Sequence, residues 1–246
     1  MRCFTTLTLA FFCFFVARAS ADDKANAVIE KAIKAHGGQA NLTKYKAVKV
    51  KVEGVVYEDG KEFRFAGSIA GQLPDKLREE IQIDLGEQKV TSIRVLNGRK
   101  GWRSENGKTE ELKGVDLDRA KDEEYQNYLE NLVPLLKDKQ IQVSLIGDDK
   151  VNDKPVAGVK ISAKGYTDRK FFFDKESGLL VKIEQTMERD GRQMNIESFF
   201  SDYKPINGVM FAMKQAVHRD GQKYIENDAT DCQKLEKLDN STFAKP

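Results

Sequence analysis

Two periodicities alternate along the chain. Between Ala25 and Ile33 the apolar residues Ala25, Val28, Ile29, Ala32 and Ile33 recur at i, i+3, i+4, i+7 and i+8, the spacing of a helix that buries one face. Asp22 or Asp23 can cap its start, and Gly37-Gly38 can stop it. From Tyr45 the period falls to two. Val48, Val50 and Val52 alternate with Lys49, Lys51 and Glu53, which predicts a strand with one dry and one wet face. The same alternation returns in Leu77, Ile81, Ile83 and Leu85, and again in Ile141, Val143 and Leu145.

Six Asx-Gly pairs punctuate these runs: Asp59-Gly60, Asn97-Gly98, Asn106-Gly107, Asp190-Gly191, Asn207-Gly208 and Asp220-Gly221. Such pairs favour the positive φ of tight hairpins, so the strands are expected to pair antiparallel with their sequence neighbours. One interruption spans residues 118–137, where Tyr125, Tyr128, Leu129, Leu132, Val133 and Leu136 make a stripe at helical spacing. Pro134 should kink or end that helix. The plan is helix, about six strands, helix, about six strands, in a single domain over residues 22–246. The later strands carry adjacent bulky residues: Phe171-Phe172-Phe173, Leu179-Leu180-Val181, Phe199-Phe200 and Val209-Met210-Phe211. Neighbouring strand residues point to opposite faces, so this part of the sheet needs cover on both. Two amphipathic helices can cover one face. Curling of the sheet into a sandwich, a barrel or a hollow half-barrel can close the other.

The first 21 residues change the picture of where the chain works. Arg2, the apolar stretch from Phe4 to Ala17, and Ala19-Ser20-Ala21 have the layout of a cleaved export signal. The stretch falls short of the ~20 residues that span a bilayer, so a secreted or periplasmic location is expected. Phe11 and Phe12 before Cys13 do not suit a lipid-attachment site. Loss of Cys3 and Cys13 with the signal leaves Cys232 alone, and no internal disulfide can form. Removal of Arg2 and Arg18 leaves 39 basic residues against 39 acidic ones, which argues against nucleic acid as a partner.

Chemistry is sparse in the pattern. His36 and His218 are far apart in sequence, neither in a metal-ligand spacing; His36 would act as a cation at a helix end. Cys232 lacks a paired histidine motif and reads as a small buried residue. There is no Gly-x-Ser-x-Gly elbow, phosphate loop or His-Glu-x-x-His. No catalytic residue, metal or cofactor is therefore assigned. The aromatic and thioether side chains Phe63, Phe65, Trp102, Phe171, Phe173, Met187, Met194, Phe211 and Met213 can either fill an ordinary core or line an adaptable apolar pocket. They are the candidate ligand-binding residues.

Several phrases, in order, resemble a known family. They are Ala35-His36-Gly37-Gly38 leading into residues 48–56, Leu73-Pro74-Asp75-Lys76-Leu77-Arg78, Leu96 to Trp102, Phe173-Asp174 through Gly178-Leu179, and Ser201 to Val209. The family is that of LolA and LolB, periplasmic lipoprotein carriers, with their outer-membrane lipoprotein-sorting relatives. The resemblance implies a mainly β fold: a strongly curved antiparallel sheet or incomplete barrel of about 11–12 strands, covered by two helices and enclosing an apolar cavity for acyl chains. It implies a non-enzymatic monomer that carries a lipid or the acyl chain of a lipoprotein and meets a membrane-bound donor or acceptor protein. Two other readings stay open. One is an envelope interaction scaffold with a filled core, and the other a hydrolase whose carboxylates assemble only in the fold.

Overall fold

The computed structural model describes residues 21–189 and 191–246, leaving Asp190 and all of the expected export signal but Ala21 outside the described residues. Helix α1 (Ala21–Ala35) and the short α2 (Gly38–Lys44) lead into six strands: β1 (Ala47–Glu58), β2 (Lys61–Gln72), β3 (Lys76–Asp84), β4 (Lys89–Asn97), β5 (Lys100–Glu105) and β6 (Lys108–Glu111). Helices α3 (Gly114–Glu130) and α4 (Val133–Lys137) interrupt the sheet. Seven strands follow: β7 (Ile141–Val151), β8 (Lys154–Ala163), β9 (Arg169–Asp174), β10 (Leu180–Arg189), β11 (Arg192–Ile206), β12 (Val209–Arg219) and β13 (Gln222–Leu235). The sheet has thirteen strands, in the order β6-β5-β4-β3-β2-β1-β13-β12-β11-β10-β9-β8-β7. Two meanders thus meet at the antiparallel β1–β13 pair, and β6 and β7 are open edges. The first set has the six strands expected, and the second has seven against the expected six or so.

Five of the six Asx-Gly pairs fall at the expected hairpins, and the sixth, Asp190-Gly191, includes a residue outside those described. Asp59, Asn106, Asn207 and Asp220 take φ between 47° and 51° with their glycines also positive, the geometry that matches the strand twist. The β7–β8 hairpin achieves the same with Asn152 and Asp153, at φ 50° and 63° and without a glycine.

The principal core lies between the helices and the inner face of the β7–β10 half. Ala25, Ile29, Ala32 and Ile33 of α1 pack with Leu129, Leu132, Leu135, Val159, Ile161, Phe171, Phe173 and Ile183. Each large side chain so buried contributes about 1.5–3 kcal/mol. The stripe of the second helical segment joins this core through Tyr125, Tyr128, Leu129, Leu132, Val133 and Leu136. That segment breaks at Leu132, fully buried at φ 66°, immediately before α4, whose first turn carries Pro134. Beneath it the buried Arg169 guanidinium is held by the Asp122 carboxylate at 2.9 Å and the Asp122 carbonyl at 2.7 Å.

The outer face is covered piecemeal. Phe172 points outward to a small cluster with Val151, Val156, Val181 and Phe199, and the Lys182 ammonium lies 5.7 Å and 5.2 Å from its two rings. On the other half the C-terminal segment folds back, burying Leu238 and Phe243 against Ala47, Val95 and Trp102. Cover on both faces therefore comes from helices inside and short local clusters outside, with no second sheet.

Candidate functional site: a cavity between the sheet and the third helix

Where the β7–β10 half is filled, the β1–β2 and β12–β13 region is not. A cavity of about 290 Å³ separates its inner face from α3, near the lower end of the ~300–1,000 Å³ range of small-molecule pockets. Strand register builds the floor. Val48, Val50 and Val52 project on one side of β1, beside Gly71, Ile69 and Gly67 of β2, and Leu77, Phe200 and Phe211 extend the apolar wall.

The roof is polar, which the sequence pattern did not reveal. Glu124, Gln126, Asn127, Glu130 and Asn131 of the α3 region line the same space. Burial pushes the Glu124 carboxyl up to about 8, against the opposing bond donated by Asn127 Nδ2 at 2.8 Å. Burial likewise raises Glu130, whose carboxylate accepts from Gln126 Nε2 at 2.9 Å. In the sequence these residues lie opposite the apolar stripe and look like a solvated helix face. No signal in the sequence separates them from such a face.

Lys234 of β13 reaches the cavity as well. Its burial lowers the ammonium pKa, while Cys232 and Glu130 oppose the shift. His36 closes one corner. Its Nδ1 is 2.8 Å from the Ala32 carbonyl, and the Leu180 N–H points at Nε2 from 3.5 Å. A neutral ring protonated on Nδ1 satisfies both contacts, and burial holds its pKa below the usual value. The expectation of a helix-end cation is corrected accordingly. Tyr203 stands edge-on to that ring at 5.6 Å and donates to the Leu180 carbonyl at 2.6 Å.

The nine candidate ligand residues disperse. Phe211 lines the cavity, and Phe65 lines a larger and more open depression of about 710 Å³ with charged walls. Phe63 shares a sheet face with Val56, nearer the β1–β2 turn. Phe171 and Phe173 are sealed in the main core, and Trp102 packs on the outer face. Met187 and Met194 pair across β10–β11, and Met213 is half-buried on β12; none of the three lines the cavity. Cys232 is a free, half-buried thiol pushed up to about 11 by burial. His218 packs against Phe199 at 5.0 Å. Among the described residues no cluster of three or more His, Cys, Asp or Glu is placed to hold a metal, and no helix is long and apolar enough to cross a membrane.

No protein-family model and no curated protein matches the sequence. Solved structures do match the fold. A DUF1329 family protein from Desulfovibrio piger superposes with a TM-score of 0.61 at 12% identity, over 89% of this chain and 97% of its own. A putative outer membrane lipoprotein-sorting protein domain from Vibrio parahaemolyticus gives 0.59 at 13%, over 90% and 97%. A LolA superfamily protein from Nitrosomonas europaea gives 0.57 at 14%, again over 90% and 97%. The chain has the LolA-like fold. The sheet of this LolA-like fold is open, with β6 and β7 as its edges, so the incomplete barrel expected from the sequence is the correct form. Identities this low carry the fold alone.

Proposed function

We propose that the protein is an exported, non-enzymatic binder or carrier of an acylated lipid or lipoprotein, held by the cavity beneath α3. The observation that carries this reading is the hollow between an unfilled valine-lined floor and α3, within a fold that a lipoprotein-sorting domain and a LolA superfamily protein share. Transfer of each methylene from water to such a floor gains about 0.8 kcal/mol, so affinity needs no catalytic motif. The carrier would work as a monomer in the periplasm, receiving its ligand from a membrane-bound donor or passing it to an acceptor.

The hydrolase reading finds two carboxyls with raised pKa in one cavity, Glu124 and Glu130. Both project from the same helix, so they line one side of the space. A glycosidase pair must flank the scissile bond from two sides, and the arrangement favours binding over hydrolysis. The filled β7–β10 half would suit a scaffold, but it leaves the hollow half without a purpose.

Native mass spectrometry with lipid extraction, on protein exported into a bacterial periplasm and purified without detergent, tests the proposal. A stoichiometric acyl species is the expected result. A clean apo mass that also fails to take up added lipid would overturn it.

A further inference from the structure

Among the described residues, the cations drawn furthest into the fold are mostly answered by carboxylates, as Lys182 is by Glu184 and Glu197. Arg94 is clamped between Glu79 and Glu123, and Arg169 is held by Asp122. Lys234 differs. Among the described residues its ammonium forms no ion pair and no side-chain hydrogen bond, and its one close partner is the Phe211 ring, 5.2 Å away. Removal of an ammonium from water costs several kcal/mol unless a counter-charge meets it, and a ring face returns only part of that. Glu130 acts on Lys234 from α3 but stands beyond ion-pair distance, with its carboxyl engaged by Gln126. Cys232 lies on the same strand with a protonated thiol, and His36 is neutral.

Register fixes where this unanswered charge sits. Lys234 pairs with Val48 across β1–β13, so it stands at the end of the Val48–Val50–Val52 row. A charge at one end of an apolar floor matches a molecule with a head and a tail. We propose that Lys234 is the head-group residue of the cavity, and that the ligand is a single-chain amphiphile whose carboxylate seats on the Lys234 ammonium while its alkyl chain lies along the valine floor. This rests on the acyl-binding reading and adds the head-group chemistry. The small volume favours one chain over two, and a planar carboxylate is a compact anionic head for a single ammonium to pair with.

The test compares dodecanoate with 1-dodecanol, which shares the chain and lacks the charge, by calorimetric titration of the intact protein, Lys234→Met and Lys234→Arg. The unmodified protein should bind dodecanoate about tenfold or more tighter than the alcohol, the margin of a charge-assisted contact. Lys234→Met should lose that margin while still binding the alcohol, and Lys234→Arg should keep it. A margin that survives in a folded Lys234→Met protein overturns the assignment. So does unmodified protein that binds the alcohol without preferring the acid, a result that leaves the acyl-binding reading standing. Binding of neither ligand would sink the acyl-binding reading itself. Carbon-13-labelled dodecanoate bound to the unmodified protein gives a reading independent of any variant's folding. Its carboxyl should titrate below the free acid, and an unshifted or raised value counts against Lys234 as its partner.

Discussion

Glu124 is 4% exposed and its carboxyl is pushed up to about 8 by burial, whereas in the unfolded chain it titrates near ~4.3. Between those two values the folded protein holds a proton that the unfolded chain has released. The stability contribution is therefore intact at low pH and is lost as pH rises through the window, at up to about 1.4 kcal/mol per pH unit. Glu124→Gln keeps the shape and the Asn127 contact but has no proton to lose. We expect it to flatten the fall in unfolding free energy between about pH 5 and pH 8, measured by urea titration, with Glu130 responsible for what slope remains. Equal slopes for the two proteins would place the effect elsewhere. Nothing in the sequence singles out this carboxyl, because a glutamate that faces a cavity and one that faces solvent occupy the same helical period. His36 misleads for the same reason: its position after α1 suggests a cation, and only its burial, which outweighs the bond to the Ala32 carbonyl, holds the ring neutral.

At the scale of elements, alternation and Asx-Gly pairs made the strand order legible, since each hairpin joins sequence neighbours and leaves little topological freedom. The docking of helices onto the sheet was not legible. Gly37-Gly38 reads as a plain helix stop, yet the two glycines are unequal. At Gly37, φ is +111° and a Cβ would lie 1.9 Å from the Gly208 carbonyl oxygen, because the His36 carbonyl accepts from the Met210 N–H at 3.1 Å and Asn41 Nδ2 donates to the Gly208 carbonyl at 3.2 Å. The α1–α2 corner is thereby pressed onto the β11–β12 turn. At Gly38, φ is +83° with open space around the missing Cβ. Gly37→Ala should cost roughly 2–4 kcal/mol, combining strain with a backbone clash. Gly38→Ala should cost about 1 kcal/mol from strain alone. Urea midpoints of the two variants check this, and similar losses would mean that the corner does not depend on the close approach.

Across the whole molecule the sheet carries two unlike halves on one continuous ladder: β7–β10 filled under the helices, and β1–β2 with β12–β13 left hollow. The sequence pointed toward the filled half, because runs such as Phe171-Phe172-Phe173 advertise bulk, whereas a cavity is made where side chains are small. Gly71 beside Val48, where a Cβ would meet only ordinary contacts, leaves room that a larger residue would take. Opposite substitutions in the two halves should therefore separate stability from uptake. Val50→Phe adds bulk into open space, so it should spare stability and reduce uptake of a fluorescent fatty acid by about tenfold or more, since the chain's place is taken. Phe171→Ala empties a packed site and should cost about 3–5 kcal/mol. Uptake should survive wherever the variant is still folded. If Phe171→Ala abolished uptake at full folding while Val50→Phe did not, the ligand would have to lie against the principal core, and the hollow half would be an incidental packing defect.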